Sequence, residues 1–148
     1  MSLAMTRAER EAFLADLHVG VISIAEPGHG PLTVPIWYDY QPGGELWVIT
    51  GRDSRKGRLL DSAGRLSLCV QTETPPYRYV SVEGPIVSIE PADVERHTRP
   101  MAHRYLGKEM GDGYIAATDG PESREQSVVV RVRPERWLTV DYSKQFGG

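Results

Sequence analysis

Residues 45–60 read ELWVITGRDSRKGRLL, and this stretch decides the fold. Its first half alternates in the period-two pattern of a β-strand that is largely buried on both faces, with Leu46, Val48 and Thr50 opposite Trp47 and Ile49. Gly51 then breaks the strand. Asp53 or Ser54 can cap a short helix, and Gly64 follows its last turn. The stretch therefore predicts a buried strand that runs directly into a helix start.

The predicted helix start carries a cluster of basic side chains, namely Arg52, Arg55, Lys56 and Arg58. A helix start has unpaired backbone N–H groups and a partial positive charge, so it attracts anions. Cations in the first turn oppose that charge, which favours a bound phosphate as their partner. The alternative is that the basic cluster is only a solvated surface.

Composition predicts one compact domain over residues 1–148. The chain has 40% hydrophobic residues and a mean hydropathy of −0.37. Its net charge of −3 and pI near 5.8 argue against general binding to nucleic acid or to a membrane surface, and no apolar run approaches a membrane span. The single cysteine, Cys69, suits a reducing cytoplasm and is expected to be a small core or interface side chain. We expect the native chain to start at Met5, with residues 1–4 as an artificial extension.

Alternating patterns elsewhere predict an antiparallel β fold. Thr6-Arg7-Ala8-Glu9 matches a capping box and predicts a first helix that ends near Gly20. Six or seven short strands follow, joined mostly by hairpin-length turns, at 19–24, 32–40, 45–50, 65–71, 77–90, 126–133 and 137–142. This arrangement is typical of a mainly β, antiparallel barrel with a few short helices over its open ends. The missing crossover helices exclude a doubly wound parallel sheet.

Two prolines mark special positions in the predicted strands. Pro35 cannot donate a hydrogen bond to a neighbouring strand, so strand 32–40 is expected to lie at an edge or to carry a bulge there. Gly84-Pro85 is expected to bend strand 77–90 sharply, as happens at a barrel corner.

The region after the long strand is predicted to be mainly irregular. Pro91 is expected to begin a polar helix with Val94 facing inward, and Pro100 to kink or divide it. Residues 107–125 contain five glycines or prolines. We therefore expect a mobile loop there, with one turn of helix at 114–118.

The common catalytic motifs are absent from the sequence. The four histidines, at 18, 29, 97 and 103, lack metal-ligand spacing, so no metal site is predicted. The signature glycine loops of hydrolases, nucleotide kinases and dinucleotide-binding enzymes are also missing. Aromatic side chains beside a phosphate site suit a planar ring that stacks at one end and carries an anion at the other. The candidates are Trp37, Tyr77 and Tyr79, which could equally be core or dimer-interface residues.

Three motifs together give a family resemblance: Thr50 followed by Ser54-Arg55-Lys56, then Arg65-Leu66-Ser67-Leu68, and later Tyr79 to Gly84. Over residues 21–90 the chain resembles the pyridoxamine 5′-phosphate oxidase-like flavin-binding split-barrel family. The resemblance implies a split β-barrel of Greek-key type and an FMN phosphate bound by Thr50, Ser54, Arg55 and Lys56. It further implies that the strand 34–37, with Pro35, Ile36 and Trp37, touches the flavin ring.

The resemblance also implies a homodimer, in which Tyr79 approaches the cofactor across the subunit interface. Weaker candidates for cofactor contact are Val34, Arg52, Tyr77 and Arg78. The oxidase itself has an arginine where this chain has Val34, and it ends in an Arg/Trp-rich segment that this sequence lacks up to Gly148. These departures argue against vitamin B6 oxidation. They favour the small reductase branch of the family, whose members use FMN or the deazaflavin F-420.

The expected function is that of an FMN- or F-420-dependent oxidoreductase that acts on a small organic acceptor. Since the cofactor carries out the redox chemistry, no catalytic side chain is assigned from the sequence. One alternative on the same fold is a non-catalytic flavin-binding or haem-product-binding protein or sensor. A weaker alternative is a small nucleic-acid-binding barrel that uses residues 52–58, which the net acidity disfavours.

Overall fold

A computed structural model describes residues 2–146 of the chain. Eight strands form its framework: β1 Gly20–Ile24, β2 Leu32–Ile36, β3 Tyr38–Tyr40, β4 Leu46–Gly51, β5 Arg65–Gln71, β6 Arg78–Pro91, β7 Ser127–Val132 and β8 Arg136–Asp141. Five short α-helices accompany them: α1 Arg7–Ala15, α2 Arg55–Ala63, α3 Arg99–Leu106, α4 Lys108–Thr118 and α5 Pro121–Gln126. A π-helical turn at Val94–Thr98 precedes α3, and a 3₁₀ turn at Tyr142–Gln145 follows β8. The predicted mainly β fold class is confirmed.

All the strand pairs are antiparallel, and the sheet curls on itself. The hydrogen-bonded order is β2-β1-β5-β6-β7-β4-β3, with β8 paired to the first half of β6. The two ends of this order, β2 and β3, are separated in the chain only by Trp37. The chain therefore passes at Trp37 from one end of the sheet to the other, which gives the split-barrel architecture.

Both predicted irregular positions are confirmed. β2, which contains Pro35, pairs with β1 alone among the described strands, so the missing N–H disrupts no ladder. β6 changes partner near Gly84-Pro85: Pro85 still pairs with Arg65 of β5, whereas Ile86 pairs with β7 and a register shift follows. A Cβ on Gly84 would lie 1.8 Å from the carbonyl oxygen of Arg133, so only glycine allows this close approach.

The barrel interior holds the apolar core. It includes inward side chains from nearly every strand and from two helices, among them Leu14, Ile22, Tyr38, Leu46, Leu60, Leu68, Val80 and Val130. α1 closes one side, and its predicted capping box is present: Thr6 accepts from the N–H of Glu9, and the Glu9 carboxylate accepts from the N–H of Thr6. The helix ends at Ala15, five residues before the predicted limit at Gly20.

The region after β6 differs from the prediction. β6 includes Pro91, so the predicted helix start at Pro91 is wrong; the helical segment begins at Val94, where Asp93 accepts from the N–H of Arg96 at 2.8 Å. The inward residue of this turn is His97, while Val94 is half-buried. Pro100 divides the segment as expected, since it lies in the first turn of α3.

The predicted mobile loop at 107–125 is wrong, because the structure has α4 and α5 there. Gly107, with a φ of 80°, separates α3 from α4. A Cβ on Gly111 would lie 2.7 Å from Cδ2 of His103 and 3.1 Å from the backbone of Ala102, so this glycine allows the two helices to pack closely. We call α3 and α4 together the roof helices.

The limits of the described region bear on two further points. Met1 lies outside the described residues, and the expected native start at Met5 stays a prediction. In the structure, the carbonyl of Leu3 accepts a hydrogen bond from the N–H of Asp141, and Met5 is buried. Gly147 and Gly148 also lie outside. Within residues 2–146, the helices are all too short or too polar to cross a membrane.

Candidate functional site

The start of α2 is built around two hydroxyl groups. Ser54 is the cap of the helix, in agreement with one of the two predicted caps, and its Oγ accepts from the N–H of Gly57 at 3.0 Å. The same Oγ donates to the carbonyl of Gly51 at 2.7 Å and lies 3.4 Å from Oγ1 of the buried Thr50. The end of β4 and the start of α2 therefore form one hydrogen-bonded unit.

Gly57 allows this unit to be compact. A Cβ at Gly57 would lie 2.1 Å from the carbonyl oxygen of Gly51 and 2.8 Å from that of Arg52. Both atoms are backbone atoms of the preceding turn, so neither can move away cheaply. The first turn of α2 thus presents its backbone, with no intervening side chain at Gly57, toward the loop after β4.

The basic residues of this region differ in their partners. Arg55 forms an ion pair with Glu26 of the β1–β2 turn, and its guanidinium lowers the pKa of that carboxyl group. No carboxylate of the described residues lies within ion-pair distance of the half-buried Lys56. Arg52 and Arg58 are exposed. Lys56 is consequently the basic side chain here whose charge is best placed to meet an anion.

Two adjoining pockets meet at Lys56. The helix-start pocket, of about 520 Å³, is lined by Leu32, Val34, Pro35, Ile49, Thr50, Gly51, Ser54, Arg55 and Lys56. The aromatic pocket, of about 400 Å³, is lined by Val19, Pro35, Ile36, Trp37, Ile49, Lys56, Thr98, Met101 and Tyr114. Pro35, Ile49 and Lys56 belong to both linings, so the two pockets form one groove along β2 and the start of α2.

The groove brings together most of the residues that the sequence predicted. All eight side chains from 34–37 and from the Thr50 to Lys56 motif line one or both pockets, namely Val34, Pro35, Ile36, Trp37, Thr50, Ser54, Arg55 and Lys56. Their roles toward a cofactor stay predictions. Arg52 lies outside both linings.

The three remaining candidates lie elsewhere in this subunit. Tyr77 is half exposed just before β6, Tyr79 is half-buried opposite Gln71 and Val140, and the Arg78 guanidinium lies 5.2 Å from the Phe13 ring. The structure does not bring them to the groove of their own chain.

Trp37 is fixed by the roof helices. Its ring stacks on Tyr105 with a centroid distance of 5.0 Å and an interplanar angle of 4°. The Tyr105 hydroxyl donates to the carbonyl of His18 at 2.6 Å and accepts from the N–H of Tyr38 at 3.1 Å, and burial raises its pKa. Tyr105 thus supplies the hydrogen bonds that the backbone needs where β2 and β3 separate, and it orients the Trp37 ring.

Arg104 attaches the roof to α1. Its guanidinium donates to the carbonyls of Ala15 and Asp16 at 3.2 and 3.0 Å and to that of Tyr38 at 3.1 Å. A cation at the carbonyl end of a helix is favourable, so this contact also stabilises the end of α1.

Sequence reasoning missed the contribution of the roof to the site. Thr98, Met101 and Tyr114 line the aromatic pocket, and none of them was a candidate. One signal was available: Met101 and Tyr105, and likewise Met110 and Tyr114, are spaced four residues apart, as on one face of a helix. The glycines of 107–125 obscured that pattern.

Metal-ligating and nucleophilic groups are sparse in the described residues. Within 2–146 there is no group of three His, Cys, Asp or Glu side chains that could hold a metal ion. Cys69 is half-buried on the outer face of β5, and burial raises the pKa of its thiol. The polar side chains of the groove are the Lys56 ammonium group, the Arg55 guanidinium, the Trp37 indole and several hydroxyls. Such a lining binds and orients a ligand and leaves the chemistry to the ligand.

Comparisons with known proteins agree with the geometry. The family model for pyridoxamine 5′-phosphate oxidase matches residues 6–141, which confirms the resemblance found in the sequence. A search of curated proteins found no match.

Solved structures show the same fold at low identity. A protein described as an F420 reductase has a TM-score of 0.71 and 22% identity, covering 86% of this chain and 94% of its own. A conserved hypothetical protein from Mycobacterium tuberculosis has a TM-score of 0.77 and 23% identity, covering 99% and 91%. The FAD and heme binding protein from Mycobacterium smegmatis has a TM-score of 0.66 and 15% identity, covering 97% and 78%.

Proposed function

The chain belongs to the pyridoxamine 5′-phosphate oxidase family, and we propose that it is an oxidoreductase that uses a flavin-type cofactor, FMN or the deazaflavin F-420, to act on a small organic acceptor. The observation that carries this proposal is the position of Lys56. Its side chain lines the helix-start pocket and the aromatic pocket together, and no carboxylate of the described residues neutralises it. A ligand that has an anion at one end and a planar ring at the other matches this arrangement.

The residues of the groove fit a phosphate-bearing cofactor. Ser54, Thr50 and the first N–H groups of α2 would bind the phosphate with Lys56, and the side-chain-free Gly57 keeps that turn compact. Pro35, Ile36 and Trp37 would contact the ring. The bound ring would supply hydride transfer, and the protein would orient it and exclude water through the roof helices.

FMN is the first choice and F-420 the alternative. The motif from Thr50 to Lys56 is the part of the site that the family resemblance assigns to the FMN phosphate. The structural likeness to a protein described as an F420 reductase supports the alternative. The exposed Arg52 and Arg58 would favour the acidic tail of F-420, since neither has a carboxylate partner among the described residues.

We propose further that the protein is a homodimer whose outer barrel face completes the site. A row of neighbouring outward residues crosses five strands beside the groove: Pro35, Val21, Cys69, Ser81 and Leu138. Val21 is 39% exposed and Leu138 is 63% exposed, so apolar surface lies beside Pro35, which would contact the cofactor ring. Tyr79 is two residues from Ser81 on β6, so both side chains are on the same face of the sheet. A partner docked on this face would therefore bring its own Tyr79 close to the groove.

A second candidate is a non-catalytic binding protein or sensor. It is favoured by the lining of the aromatic pocket, because that lining offers, among the described residues, only two side chains, Lys56 and Tyr114, that could act as an acid or a base. The likeness to an FAD and heme binding protein agrees with such a role. We place either function in the cytoplasm, where the unpaired Cys69 would stay reduced.

An absorption spectrum of the purified protein, followed by addition of FMN or F-420, tests the proposal. We expect bound FMN or F-420 to raise the melting temperature, because a ligand that binds only the folded state stabilises it by mass action. Loss of cofactor absorbance on mixing with a reductant and its return with a quinone acceptor would distinguish the oxidoreductase from the sensor. If neither cofactor in large excess shifts the melting curve, the proposed function is wrong.

A further inference from the structure

A third pocket lies behind the aromatic pocket, and one side chain stands between them. The lining of this inner pocket, of about 150 Å³, includes the hydroxyl residues Thr118, Ser123 and Ser127 and the paired charges of Asp119 and Arg124. Ile49, Thr98 and Tyr114 line both the inner and the aromatic pocket. These three side chains are therefore the partition between the two spaces.

Tyr114 is the movable part of that partition. Ile49 belongs to a strand paired on both sides, and Thr98 ends the π-helical turn, whereas the Tyr114 ring is 41% exposed. Its ring lies 5.6 Å from that of Trp37 at an angle of 55°. Among the described residues, none forms a hydrogen bond with its hydroxyl group, which leaves that group available to a ligand.

The backbone that carries Tyr114 is firmly held. The Asp112 carboxylate lies 2.6 Å from Nε2 of His103 and accepts from Arg99 at 2.8 Å, and Ile115 is buried. Gly111 packs against Ala102 of α3. Because the backbone of α4 is fixed here, the Tyr114 side chain alone sets the depth of the aromatic pocket.

We propose that Tyr114 determines which acceptors fit, and that the acceptor is a planar conjugated ring compound with an uncharged polar substituent. The acceptor ring packs on the Tyr114 side of the aromatic pocket, which leaves Pro35, Ile36 and Trp37 to the cofactor ring, and the Tyr114 side chain keeps longer ring systems out of the inner pocket. Three hydroxyl residues line the inner pocket together with Asp119 and Arg124, whose charges offset each other in a two-pronged ion pair, so the inner pocket favours a carbonyl or hydroxyl group over an anion. This inference rests on the proposed function for the identity of the acceptor.

The test compares two neutral quinones of different length, menadione and 2-(hydroxymethyl)anthraquinone, by titration calorimetry on the FMN-saturated and on the cofactor-free protein. We expect the wild type to bind menadione more tightly. Tyr114→Ala joins the two pockets, so it should raise the affinity for the longer probe relative to menadione by about tenfold, the gain expected for burying one more ring. Tyr114→Phe should keep the wild-type preference, because it retains the ring.

Met110→Ala is the matched control, since Met110 is on the same helix, is 64% exposed and lines none of the three pockets. An unchanged ratio of the two affinities in Tyr114→Ala overturns the proposal, as does the absence of binding of both probes to wild type and variant. Titration of FMN and F-420 into the same proteins keeps the results separable. If the cofactors do not bind but Tyr114→Ala changes the ratio of the two quinone affinities, only the proposed function is overturned. If the cofactors bind normally but the ratio is unchanged, only the role of Tyr114 is overturned.

Discussion

The two walls of the groove, the start of α2 and the roof helices, are held in place by different kinds of contact. The turn at the start of α2 is shaped by contacts between residues three and six positions apart, Ser54 to Gly57 and Gly57 to Gly51. The roof helices are fixed by distant contacts, such as Tyr105 to His18 and Arg104 to Ala15. We infer that the first wall is rigid toward added atoms because backbone packs on backbone there, and that the second accepts small changes because its nearest contacts include side chains that can shift.

The largest effect is expected from Gly57→Ala. Alanine normally favours a helix by about 1 kcal/mol relative to glycine. Here the added Cβ would meet two backbone carbonyls, so we expect a net loss of about 2–3 kcal/mol in the free energy of unfolding. Urea denaturation measures it. A variant as stable as the wild type would show that the wall at α2 is not rigid.

Lys56→Ala should separate binding from folding at the same wall. A hydrogen bond to a charged partner contributes about 1.5–3 kcal/mol, so cofactor affinity should fall by roughly ten- to a hundredfold. The cofactor-free protein should keep its stability or gain slightly, because a cation leaves the first turn of a helix. Fluorescence titration with FMN and F-420 measures the loss.

Arg58→Ala is the control for the FMN titration of Lys56→Ala, because Arg58 is in the same helix but lies outside both pocket linings. Equal cofactor affinities in Lys56→Ala and wild type at moderate salt would mean that the basic cluster is only a solvated surface.

Gly111→Ala makes the same change in the roof and should have a smaller effect. The nearest atom to the added Cβ is in the His103 ring, which can shift, although the Ala102 backbone at 3.1 Å is also close. We expect a net loss of about 1 kcal/mol, measured by urea denaturation. Gly113→Ala, with open space around its Cβ, should instead gain about 1 kcal/mol. A loss for Gly111→Ala as large as that for Gly57→Ala would remove the distinction between the two walls.

The smallest effect should be an acid sensitivity of the roof. Hydrogen bonds from His103 and then Arg99 lower the pKa of Asp112, which is below its unfolded value. The stability from this carboxylate is therefore present above the usual aspartate pKa and is lost as the pH falls from there through the lower pKa of the folded state. Asp112→Asn should reduce the acid dependence of the melting temperature. An identical pH profile in wild type and variant would contradict this role.

The contrast between the two walls also explains which parts of the fold and of the candidate site could be predicted from the sequence. Ser54 as cap, Gly64 as helix end and the bend at Gly84-Pro85 follow from local backbone chemistry, so their patterns could be recognised. The helices over 107–125 could not, because glycine lowers helix propensity wherever it occurs. Gly111 is helical because α3 lies against it, a contact that no local pattern contains. The pocket residues Thr98, Met101 and Tyr114 were missed because a helical spacing does not show which part of the barrel the helix covers.

The place of β7 in the sheet has a consequence for the order in which the molecule is made. β7 lies between β6 and β4 and pairs with β4 along its full length, from Leu46↔Val132 to Gly51↔Ser127. During synthesis β4 emerges about eighty residues before this partner, and until then one edge of the strand that ends at Thr50 is unpaired. A chain released before residue 127 would expose that edge to other copies, and it would lack the support on which Thr50 and the start of α2 rest. The candidate groove is thus complete only after residues 127–132 have been made, so a ligand that needs the whole groove would bind after that point.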